Sequence, residues 1–111
     1  MKMFKYLSLT LLLVLFSAQT MGGSGHSHEP VSQQRAEAIA SRIVVSMVNQ
    51  GVIDKSWKDE SVEMSEKKAF GGRPEWVVSF VNRDIADEKK QTLYVFLTLS
   101  GEYLAANYTG E

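Results

Sequence analysis

Cysteine is absent from this 111-residue chain. That excludes disulfides, thiolate nucleophiles, thiolate metal sites and a lipid attached through a cleavage-site cysteine. A small exported domain often supplements its core with disulfides; this one is held by packing alone. Histidine is scarce. The two that occur, His26 and His28, both precede the periodic part of the sequence, so Ser-His and Cys-His nucleophile arrangements are excluded from the region that folds. There is no basic excess: Lys plus Arg number 12 and Asp plus Glu 13. Such a balance leaves no electrostatic footprint for nucleic acid and no polybasic segment for anionic lipid. Nor is there an apolar run of the about 20 residues that a bilayer span requires.

What the sequence does have begins with Lys2 and Lys5, a nearly unbroken apolar stretch from Leu7 to Phe16, and then Ser17, Ala18, Gln19 and Thr20. A positive start, a short apolar core and small residues make up a secretory signal peptide over residues 1–20. Ala18 with Thr20, Thr20 with Gly22, and Gly23 with Gly25 each supply a small pair, so cleavage is expected between 18 and 25. Removing Lys2 and Lys5 leaves 10 basic residues against 13 acidic, a net charge of −3, and no membrane span. Residues 21–30 read as a flexible Gly/Ser/His linker, and 31–110 as a single domain.

That domain opens with a helix from about Ser32 to Gln50. Ser32 is a good N-cap. Ala36, Ile39, Ala40, Ile43, Val44 and Met47 fall on one helical face, with Glu37, Ser41 and Arg42 off it. Gly51 fits the left-handed position past the end. Asp54 is placed to cap a short turn that folds Trp57 back onto the core. Strands follow at Ser61–Phe70, Glu75–Asn82, Thr92–Leu99 and Glu102–Tyr108, with Gly71 to Pro74 as a turn and Arg83 to Lys90 as a charged loop. The expected class is α+β, one main helix packed on one face of a 3–4-stranded antiparallel meander sheet.

A two-residue turn at Ser100-Gly101 pairs Leu99 with Glu102, Leu97 with Leu104, Val95 with Ala106 and Leu93 with Tyr108. Those residues belong under the helix. The opposite face then carries Tyr94, Phe96 and Thr98 beside Tyr103, with Val77 and Val81 added if Trp76, Val78 and Phe80 point inward. A sheet covered on one side normally shows water a polar face. An outer cluster of Val77, Val81, Tyr94, Phe96 and Tyr103 therefore reads as an interaction surface.

The single helix, the Gly51-Val52-Ile53-Asp54 exit, the tryptophan-bearing strand and the closing Ala105-Ala106-Asn107-Tyr108-Thr109-Gly110 together resemble the small PepSY-like domains of bacterial envelope proteins. The chain is similar, more narrowly, to an uncharacterised family of short Gram-negative periplasmic proteins with a His-rich stretch ahead of the helix, as in His26-Ser27-His28. The resemblance covers about residues 26–110. It implies a periplasmic location and contacts with envelope proteins, and it carries over no catalytic residue.

Two chemistries remain to weigh. His26 and His28, two residues apart with Glu29 adjacent, supply half of a Cu(II) or Zn(II) site. Cleavage after Gly25 or Gly23 would place a histidine third in the chain, a strong local Cu(II) geometry. The acidic run Asp59, Glu60, Glu63 and Glu66 reads as a solvated face that discourages edge pairing rather than as a catalytic pair. Gly71-Gly72 and Gly101 lack the spacing of a phosphate loop. Asn107-Tyr108-Thr109 matches the glycosylation pattern, without meaning in a bacterial setting. Met47 belongs to the helix stripe rather than to a metal. The expectation is a non-enzymatic exported binding module, contacting an envelope protein or itself through the outer face. The alternative is a metal-handling accessory protein that uses the histidine pair.

Overall fold

The computed structural model describes residues 29–111. Its architecture is one helix on a four-stranded antiparallel meander, in the order β1-β2-β3-β4, an α+β fold. Helix α1 spans Gln33–Asn49; the strands are β1 Val62–Phe70, β2 Arg73–Val81, β3 Thr92–Thr98 and β4 Tyr103–Asn107.

Helix α1 starts where the sequence says it should. Ser32 is extended, and its Oγ accepts from the Arg35 amide at 3.1 Å, satisfying one of the free first-turn donors. At the far end the amides of Gly51 and Val52 return to the carbonyls of Val48 and Met47, both at 2.9 Å. This is the paired closure that satisfies the last carbonyls of a helix. Ala36, Ala40, Ile43, Val44 and Met47 are buried. They meet Trp76, Val78 and Phe80 of β2 and Leu93, Val95 and Leu97 of β3 in one core cluster. The alanines let the helix sit low on the sheet.

The helix exit leads into a single 3-10 turn, Lys55–Asp59, with Asp54 as its cap and Trp57 buried in the core. A chain of hydrogen bonds fixes this turn. Asn82 Nδ2 donates to Ser56 Oγ at 2.8 Å, and Ser56 Oγ donates to Asp54 Oδ2 at 2.6 Å. Asn82 is fully buried, so those bonds meet a demand that burial would otherwise leave costly. The charged loop after β2 is drawn to the helix side, because Ile85 packs against the core.

The two hairpins differ from expectation in detail. Phe70 pairs with Arg73 across Gly71-Gly72, and Pro74 pairs with Ala69. Pro74 is therefore a strand residue, not part of the turn. It is tolerated there because pairing of β2 with β3 begins only at Glu75, so its missing N–H leaves no ladder position empty. Both turn glycines have positive φ, +61° and +82°, which fits a type I′ turn.

The β3–β4 connection is a three-residue loop. The Thr98 amide donates to the Glu102 carbonyl and the Gly101 amide to the Thr98 carbonyl, at 2.8 and 2.9 Å. Leu97 consequently faces Tyr103, not Leu104. A bulge at Leu104 restores the expected register, so that Phe96 faces Ala105 and Val95 faces Ala106. Because side chains alternate with period two, this exchange moves Tyr103 to the helix side and leaves Leu104 at the surface. Tyr103 is 2% exposed within the core cluster, while Leu104 is 38% exposed.

Candidate functional site

The pairing registers define which residues share the side of the sheet away from α1. Phe80, Val78 and Trp76 face the core, so Val77, Ser79 and Val81 point the other way. Their partners on that side are Phe96, Tyr94 and Thr92 of β3, and Glu66 and Met64 of β1. Phe70 belongs to the same face, and its ring meets Phe96 edge-to-face, with centroids 5.6 Å apart and planes at 75°. Offset or edge contacts of this kind are the favourable arrangement of aromatic rings.

Of the five residues expected on this face, four are there. Val77 and Phe96 lie at its centre and are 5% and 4% exposed, outside the helix-side core. Val81 and Tyr94 are half-buried. Tyr94 lies under the chain end: a Cβ on Gly110 would stand 3.2 Å from the Tyr94 ring, and the Asn107 side chain holds that turn by accepting from the Gly110 amide at 2.8 Å. Tyr103, the fifth, is a core residue for the reason given above. Burial pushes its phenol well above the ordinary range, and pushes that of Tyr108 up as well.

Phe70 and Met64 are surface members that the periodicity of β1 alone does not reveal. Met64 is 54% exposed. A bulge between Val62 and Met64 resets the side-chain alternation early in the strand. The available signal is the Gly71-Gly72 turn: counting back from a two-residue turn puts Phe70, Lys68, Glu66 and Met64 on one side.

Polar groups frame the patch. Glu75 lies at the start of β2, where burial raises its carboxyl above the usual value against the opposing pull of Arg73. Lys68 Nζ stands 5.7 Å from the Phe70 ring, and on the helix side Lys67 Nζ stands 5.3 Å from the Trp76 ring. Strand β1 is held to the helix through Ser65, whose Oγ accepts from Gln33 Nε2 at 2.7 Å and donates to the Glu37 carboxylate.

His26 and His28 lie outside the described residues. Among the described residues no group of three or more His, Cys, Asp or Glu is placed to hold a metal ion. No helix among them is long and apolar enough to cross a membrane.

The molecule is thus a small α+β sheet protein with an apolar layer on each side of its sheet. The chain belongs to DUF6488, a family of unknown function whose profile matches residues 1–111. No curated protein and no solved structure matches it.

Proposed function

We propose that this protein is an exported, non-enzymatic binding module, PepSY-like and periplasmic, that contacts an envelope protein or a second copy through the side of its sheet away from α1. The observation that carries this reading is the second apolar layer. A single helix covers one face of the sheet, yet Val77 and Phe96 at the centre of the other face, with Phe70, Tyr94, Val81 and Met64 around them, are apolar or aromatic. An antiparallel sheet covered on one side normally shows water a polar face; here Val77 and Phe96 are themselves buried, so a partner would meet the exposed Met64 and the half-buried Phe70, Val81 and Tyr94 around them, and aromatic clusters are where binding energy concentrates. Export and location rest on the signal-like start and on the resemblance drawn from the sequence.

Photo-crosslinking side chains introduced at Met64 and Val81, with Arg42 on the exposed side of α1 as the comparison, test the reading in intact cells. Discrete adducts are expected from Met64 and Val81 and none from Arg42. Adducts at all three positions alike, or at Arg42 only, would remove it.

A further inference from the structure

The sheet has two edges, β1 and β4, and the sequence of β1 is complementary to itself. Its regular part runs from Met64 to Phe70, after the bulge at Glu63. Phe70 and Arg73 flank a two-residue turn and so exchange hydrogen bonds. Alternation along the ladder then turns the amides and carbonyls of Lys68, Glu66 and Met64 toward β2, and those of Ala69, Lys67 and Ser65 toward the open edge. The Ser65 carbonyl does point away from β2: it accepts from Gln33 Nε2 at 3.1 Å and keeps a second lone pair for another donor.

We infer that β1 pairs antiparallel with β1 of a second copy, about a two-fold axis at Lys67, joining two four-stranded sheets into one. An axis perpendicular to the sheet keeps each face continuous, so opposed residues must come from the same face. Within Met64–Phe70, symmetry about Lys67 opposes all seven residues and symmetry about Glu66 or Lys68 only five, the last setting Lys68 against its own copy and Glu66 against Phe70. Symmetry about Glu66 sets that carboxylate against its own copy and Met64 against Lys68. Symmetry about Lys67 sets Glu66 opposite Lys68 twice, Met64 opposite Phe70 twice and Ser65 opposite Ala69 twice. In that register the outward amides and carbonyls of Ser65, Lys67 and Ala69 meet their partners reciprocally.

The Lys67 register wins on charge and on apolar contact. Its single like-charged pair, Lys67 with Lys67, is eased because each ammonium is drawn over the Trp76 ring of its own chain. Most of the edge charges on β1 thereby become specificity for one partner instead of a general deterrent to pairing. The seven-residue overlap is about 24 Å long. It buries less than the about 1,000 Å² of a permanent complex, so the dimer is reversible. This inference concerns the edge of the sheet, and it stands or falls separately from the face-on contact above.

Sedimentation equilibrium of the exported protein at low salt tests it. The natural chain is expected to show a monomer–dimer equilibrium. Glu66→Lys alone and Lys68→Glu alone should each weaken the dimer about tenfold, because each puts like charges opposite one another twice per dimer. The combined Glu66→Lys/Lys68→Glu chain should recover to within about threefold of the natural affinity, since the pairs are re-formed with their signs exchanged. Both positions are solvent-facing, and unchanged circular dichroism melts confirm intact folds. A natural chain that is monomeric up to about 1 mM, or a double variant as weak as the single ones, overturns the inference.

Discussion

The two hairpins of this sheet each turn on glycine, yet they treat register differently. Across Gly71-Gly72 the strands leave the turn directly opposite one another, and the pairing runs unbroken from Phe70 and Arg73 to Met64 and Ser79. Across Leu99, Ser100 and Gly101 the loop is one residue longer, and the pairing returns to the expected register only after the bulge at Leu104. A glycine in a turn therefore announces a hairpin without fixing its loop length. The primed two-residue turns need positive φ at the first or at both central positions, which two glycines supply and serine resists. A three-residue loop needs positive φ only at its last position, where Gly101 has +94°. The consequence reaches the proposed contact face, because it decides that Tyr103 is core and does not belong to the outer layer.

The largest expected effect comes from breaking the side of the sheet that both hairpins feed. Leu97→Ser removes a fully buried side chain facing the helix. It should cost about 3–5 kcal/mol and abolish a cooperative thermal melt at moderate temperature. A second prediction contrasts the two turns. Gly101→Ala would place a Cβ 2.8 Å from Ile39 Cδ1 in addition to straining a positive φ, whereas a Cβ on Gly72 meets nothing within 4 Å. The Ile39 methyl can swing aside, so Gly101→Ala should lose about 1–2 kcal/mol in urea unfolding and Gly72→Ala about 1 kcal/mol.

Of similar size is Ser56→Ala, which removes the hydroxyl between buried Asn82 and Asp54. It should cost about 1–2 kcal/mol near neutral pH. The two hydrogen bonds from Ser56 hold the Asp54 carboxyl below its ordinary value of 3.8. A depressed carboxyl stabilises the fold above that value, and the contribution is lost as pH falls through the folded value. The difference between natural and Ser56→Ala melts should therefore narrow on acidification. The smallest effect is expected of Glu75→Gln. Burial raises this carboxyl above its ordinary 4.5, so its charge opposes folding above that pH. The substitution should raise stability at pH 7 by no more than about 0.5 kcal/mol, with the gain vanishing in acid.

Much of the fold was legible from residues alone. Ser32 and the apolar spacing of α1 gave the helix to within a residue, and Asp54 and Trp57 gave the turn after it. The four strands and their meander order were legible too, because each is bounded by turn residues or charge. What stayed hidden was set by single-residue irregularities. The bulges at Glu63 and Leu104 invert side-chain alternation locally and leave no mark in composition. The network through Asn82 was hidden for another reason: its tertiary partner, Ser56, reaches it only once the turn after α1 folds against the end of β2.

The assignment of faces underlies everything proposed for this molecule, and neighbouring residues of β4 report on it most directly. Thermal melts of Tyr103→Ser and Leu104→Ser, measured side by side, should separate widely. With Tyr103 in the core and Leu104 at the bulge, the first variant should lose about 3–5 kcal/mol and the second less than about 1 kcal/mol. The reverse order would put Tyr103 on the outer face and Leu104 under the helix, and would contradict the account.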